Sequence, residues 1–109
     1  MIVVVTSFSN REDAERISNI LVAEHLAACV HILAPHLAIY EWKGEIRREE
    51  EVNILIKTDD RLYSVVEERL KEIHPYEIPL IFALQAEITR PPSMRRGSIC
   101  KRGYYKGLI

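Results

Sequence analysis

The chain has 109 residues, 48% of them hydrophobic and 28% charged, with a formal net charge of −1. One domain fits that length, and the composition excludes a largely disordered, a collagen-like or a membrane-embedded protein. Residues 1–89 carry −7 and residues 90–109 carry +6, so the body lacks the clustered positive charge on which nucleic-acid binding depends.

The β-branched run at the start predicts a strand over 2–8 that is buried on both faces. No basic start or small-residue cleavage site follows Met1. No apolar run approaches the ~20 residues of a membrane span, so no membrane contact is expected and the cytoplasm is the expected compartment. Ser9-x-x-Glu12 has the form of a capping box. It predicts a helix from about Asn10 to about Ala27, with a stripe through Ala14, Ile17, Ile20 or Leu21, Glu24 and Ala28 that is apolar at all but Glu24.

Residues 29–42 are rich in β-branched and aromatic side chains but contain Pro35, which predicts one strand interrupted by a bulge or an edge. Lys43-Gly44 then reads as a two-residue hairpin turn. The return strand runs to about Lys57, with Val52, Ile54 and Ile56 pointing one way and Asn53, Leu55 and Lys57 the other. Residues 46–51 are too charged for a core, so the hairpin arm should project beyond the body. Asp59 or Asp60 caps a second helix whose stripe is Leu62, Val65, Val66, Leu70 and Ile73. His74-Pro75 ends it, and a last strand follows over 80–88. The order βαββαβ predicts an α+β, ferredoxin-like sandwich: a four-stranded antiparallel sheet with both helices on one face. The other face needs a cover.

Four histidines, His25, His31, His36 and His74, are the first candidates for metal or proton chemistry. Cys29 and His31 fall two apart on a strand, hence on one face, but two ligands do not make a site. A small buried cysteine beside a half-exposed histidine explains them more simply. Cys29 and Cys100 form no CxxC, so neither a disulfide framework nor a zinc ribbon is indicated. His74-Pro75-Tyr76-Glu77-x-Pro79 holds an imidazole, a phenol and a carboxylate between two prolines, as a functional loop or as a rigid turn. Tyr40, Trp42 and Lys57, all from the hairpin, could wall a cleft or pack across an interface. There is no GxSxG, no glycine-rich phosphate loop and no HExxH. Glu49-Glu50-Glu51 alternates between faces and gives no acid–base pair. Ser7 to Asn10 with Arg11 is a poor version of the phosphate cradle of an acylphosphatase-like hydrolase.

Leu26-Ala27-Ala28-Cys29-Val30, Tyr40-x-Trp42-x-Gly44, Ile56-Lys57-Thr58 and His74-Pro75-Tyr76-Glu77-x-Pro79 follow one another at fitting distances. Over residues 1–89 the sequence resembles the CutA family of divalent-cation tolerance proteins. The resemblance implies a ferredoxin-like protomer in a tight homotrimer whose long hairpins extend sheets between subunits. It implies no enzyme reaction and no required cofactor, with copper or another divalent cation, or a small ligand, bound weakly in clefts between subunits. The family copper site centres on a cysteine in the first strand and two histidines before Pro-Tyr. Here those places hold Val5 or a neighbour, Ile73 and His74, so His74 is the one metal residue carried over. Trp42, Lys57, Tyr76, Glu77, Tyr40 and Cys29 are the expected cleft lining. The alternative is a signalling or scaffold trimer that binds partner proteins, with metal binding incidental. Residues 90–109 depart from the family: the usual short apolar C-terminal helix is not written there. They read as an atypical basic tail, and a frameshifted or read-through end is the hypothesis that fits the composition break.

Overall fold

The computed structural model describes residues 1–87. Strand β1 (Ile2–Phe8) lies inside an antiparallel sheet, between β4 (Glu45–Thr58) and β5 (Phe82–Gln85). β2 (Cys29–Ile32) pairs with the far side of β4, and β3 (His36–Trp42) continues along the same strand. The resulting order is β2-β4-β1-β5, with α1 (Arg11–Ala23) and α2 (Tyr63–Ile73) as the two crossovers. This is the ferredoxin-like arrangement that βαββαβ predicts, with β2 and β3 together serving as its second strand.

Strand alternation sorts the sheet into two faces. Ile2, Val4, Thr6 and Phe8 stand opposite Thr58, Ile56, Ile54 and Val52, and all eight are buried. With Ala14, Ile17 and Leu21 of α1 and Val66 and Leu70 of α2 they make the core, and removing their apolar area from water is the main stabilising term. Val3, Val5 and Ser7 point to the other face beside Lys57, Leu55 and Asn53. Phe82 and Leu84 of β5 join that row, opposite Val5 and Val3, and stay exposed.

The interruption at Pro35 is a β-bulge. Ile32 pairs with Ile54 and His36 with Glu51, so four steps on one strand match three on the other. Leu33 still donates its N–H to the Asn53 carbonyl at 2.9 Å, which puts the extra residue at Ala34-Pro35, where proline has no N–H to leave unpaired. Beyond the bulge the parity of the strand switches. The turn that closes the arm has Lys43 at φ 50° and Gly44 at φ 80°, the two positive angles of a type I′ hairpin. The arm's residues 45–50 are exposed, and the molecule measures 53 × 25 × 24 Å along its principal axes, so the arm does project.

Four boundaries differ from expectation. The α1 cap is Asn10, one place past Ser9: its Oδ1 accepts from the Asp13 N–H at 2.8 Å and its Nδ2 donates to Asp13 Oδ2 at 3.1 Å. The same helix stops at Ala23, short of Ala27, because the chain turns back there. Leu26 N–H bonds the Leu21 carbonyl at 2.9 Å and His25 N–H the Val22 carbonyl at 3.1 Å, a Schellman motif with His25 at φ 61°. Glycine adopts that angle without steric cost, so His25→Gly should stabilise the fold by about 0.5–1 kcal/mol in chemical denaturation. Asp59 caps a 3-10 turn over Asp60–Leu62 through the Arg61 N–H, and α2 proper begins at Tyr63. Val65, placed in the apolar stripe by spacing, is 46% exposed, since Val66 and Leu70 one turn later hold the inward direction. Among the described residues β5 covers Phe82–Gln85, shorter than the strand expected from residue 80 onward. The tail 90–109 lies outside the described residues.

Candidate functional site

His74 ends α2, where the following proline forces it out of helical geometry to φ −69°, ψ 135°. Its side chain turns inward and is only 7% exposed. The ring stacks on Phe8, with centroids 4.5 Å apart and planes within 15°. Nδ1 accepts the Tyr76 N–H at 3.1 Å, so the ring proton sits on Nε2. Nε2 lies 3.1 Å from both the Ser7 carbonyl and Thr6 Oγ1, and the Thr6 hydroxyl donates to the Leu80 carbonyl at 2.9 Å. Pairing of β5 with β1 stops at Val5↔Phe82, which leaves the Ser7 carbonyl open. The imidazole fills that gap as another strand residue would. Burial pushes the His74 pKa below its usual value, only partly opposed by the Ser7 bond and by the charge of Asp13.

Tyr76 packs against this ring at 4.8 Å. Burial holds its phenol up, a hydrogen bond to Ser9 opposes this, and the carboxylates of Glu51, Glu49 and Asp13 add to the rise. Tyr76 therefore stands at the root of the arm, within the field of its acidic strand. Tyr40 lies farther out on the arm, opposite Arg47 and two residues from Trp42, with its pKa raised above all by its hydrogen bond to Glu49. Glu77 is exposed in the loop that follows.

The other expected lining residues lie elsewhere. Cys29 and Lys57 are directly paired across β2 and β4. Trp42 is 54% exposed at the arm's far end, opposite Glu45, with Lys43 Nζ 5.7 Å from its ring centroid. Twelve residue steps along β4 separate Glu45 from Lys57, roughly 40 Å of strand. One protomer therefore does not gather Trp42, Tyr40 and Lys57 around one cleft, and a cleft holding them all would draw on more than one copy. The strand face also carries His31 beside Leu55 and His36 opposite Glu51. Among the described residues no three His, Cys, Asp or Glu side chains are grouped to hold a metal ion.

Sequence reasoning overlooked Thr6, Ser7 and Phe8, which fix the imidazole. The available signal was Thr6 itself, a hydroxyl at an inward position of an otherwise apolar strand. A buried hydroxyl needs partners, and the partner at this level is the residue that ends α2.

Sheet order, both crossovers on one face and a bulged second strand prolonged into an arm define an open-faced ferredoxin-like α+β protein. The model of the CutA1 divalent ion tolerance protein family matches residues 2–94. Divalent-cation tolerance protein CutA of Pyrococcus horikoshii is 39% identical over 87 residues, 80% of this chain and 84% of the relative. The Thermus thermophilus protein of the same name is 40% identical over 82 residues, 75% of this chain and 80% of the relative. Human Protein CutA is 37% identical, but there the chain spans 44% of the relative's length. The crystal structure of CutA1 from Pyrococcus horikoshii superposes with a TM-score of 0.78 at 35% identity, over 84% of this chain and 89% of that one. CutA1 from Oryza sativa gives 0.78 at 31% identity, with 82% of each chain covered. The chain belongs to the CutA1 divalent ion tolerance protein family. Among the described residues no helix is long and apolar enough to cross a membrane, and a relative from Arabidopsis thaliana is named chloroplastic.

Proposed function

We propose that this chain acts in the cytoplasm as a non-enzymatic homotrimer that binds a divalent cation, copper among them, or a small ligand in clefts between subunits. The observation that carries the reading is the split of the cleft residues along β4. Tyr76 stands near the arm's root, Tyr40 and Trp42 lie two residues apart toward its tip, and Cys29 with Lys57 at the body end. Copies packed around an axis would bring one chain's arm against another's body, and the exposed apolar residues Leu37, Ile39, Phe82 and Leu84 supply surface for that packing.

The geometry gives His74 a positioning role more readily than a ligating one. Both ring nitrogens are engaged within the protomer, and a metal would have to displace the Tyr76 amide or the ring proton. Carboxylates and histidines on the arm and on β2, shared between chains, are the better donors for a weakly held Cu(II) or zinc ion. Titration calorimetry with Cu(II) should show saturable binding that weakens at least tenfold when the trimer is broken by substitutions in β5. Equal binding by a monomeric variant would place the metal on the protomer surface, as incidental binding on a scaffold trimer requires.

A further inference from the structure

We propose that Thr6 and His74 form a latch that presets the loop of residues 75–80 for contact with a second copy of the chain, an inference that rests on the trimer reading above. One hydroxyl ties both ends of the loop: Thr6 Oγ1 meets His74 Nε2 at 3.1 Å where the loop begins and donates to the Leu80 carbonyl at 2.9 Å where it ends. Between these points the Tyr76 amide is held by His74 Nδ1, and Pro75 and Pro79 restrict the backbone further. A loop fixed in this way presents its side chains with little ordering entropy left to lose on contact.

Apart from Glu77, what it presents is apolar. Ile78 is 89% exposed and Leu80 70%, and they continue into Phe82 and Leu84 along the outermost strand of the sheet. Residues 78–86 contain no charge, although residues 1–89 carry −7. Two acidic copies approach with least repulsion along an edge that carries no carboxylate of its own, and such an uncharged edge is the surface natural sheets otherwise guard with charge or proline. The same chain offers exposed apolar side chains in Leu37, Ile39 and Ile46, which share one face of the arm with Glu41, Arg48 and Glu50. A second copy is therefore the occupant, and the latch makes the contact ready before it forms.

The test compares Thr6→Val, which keeps the shape and removes the hydroxyl, with Thr6→Ser, which restores it. Hydrogen exchange read by mass spectrometry should rise about ten- to a hundredfold in peptides from residues 75–85 of Thr6→Val and stay unchanged in α1. Light scattering on dilution should show its assembly dissociating at a concentration at least tenfold higher than wild type, and Thr6→Ser should recover both. Unchanged loop exchange, or a rise shared equally by α1, overturns the latch. A looser loop with unaltered assembly overturns its coupling to the second copy. A wild-type chain that is monomeric at every concentration overturns the trimer reading and the coupling together. Loop exchange in Thr6→Val tells that failure apart from failure of the latch.

Discussion

Replacing His74 with alanine should cost about 2–4 kcal/mol of stability, measured by urea unfolding at pH 7.5. The substitution removes a buried ring stacked on Phe8 and leaves a cavity beside a fully buried side chain. It also strands the Tyr76 N–H and the Ser7 carbonyl, groups that are expensive to leave buried and unpaired. The same environment makes stability depend on pH. Burial lowers the folded-state pKa of His74 below the unfolded value near 6.5, so below that pH the unfolded chain takes up a proton that the folded chain refuses. The stabilisation is complete above about pH 6.5 and is lost as pH falls toward the folded pKa, below which the folded state also protonates and the slope ends. Protonation would set a second N–H against the Tyr76 amide. His74→Gln should remove this part of the acid slope, and a wild-type slope that survives the substitution would assign it to the carboxylates.

Placing lysine at both Phe82 and Leu84 should convert the assembly to monomers, raising its dissociation concentration at least a hundredfold in size-exclusion light scattering. These two side chains form the outer row of the sheet's open face, opposite Val5 and Val3, and both are exposed in the protomer. Within one chain the substitutions therefore bury no charge and should leave folding intact by circular dichroism. Across a packed interface they would bury cations without partners, which costs several kcal/mol. An assembly indifferent to both lysines would move the interface to another surface.

The fold was legible in the sequence because its periodicities are plain. Val52, Ile54 and Ile56 alternate with Asn53, Leu55 and Lys57, and the structure buries the first set completely. Pro35 announced the bulge through its missing N–H, and Lys43-Gly44 announced the turn through glycine's tolerance of positive φ. Boundaries were less legible where two residues compete for one role. Ser9 and Asn10 both can cap, and only the path of the chain leaving β1 decides for Asn10. The end of α1 was hidden because histidine, not glycine, takes the left-handed position.

The candidate site was half legible. His74 and Tyr76 stood out between their prolines and do meet in space. The partners that decide what His74 can do come from β1, 67 and 68 residues away in sequence, and no local pattern reports such a contact. Trp42 and Lys57 were grouped because both belong to the hairpin, yet a strand of fourteen residues separates its two ends.

The central claim is that the open face and the arm are completed by further copies of the same chain. Its most direct test is the absolute mass in solution by light scattering after size exclusion, in chelator, at several concentrations. The account predicts three chains of 12.6 kDa without added metal, with dissociation only on strong dilution. A monomer at every concentration would contradict it, and the shared clefts would lose their basis.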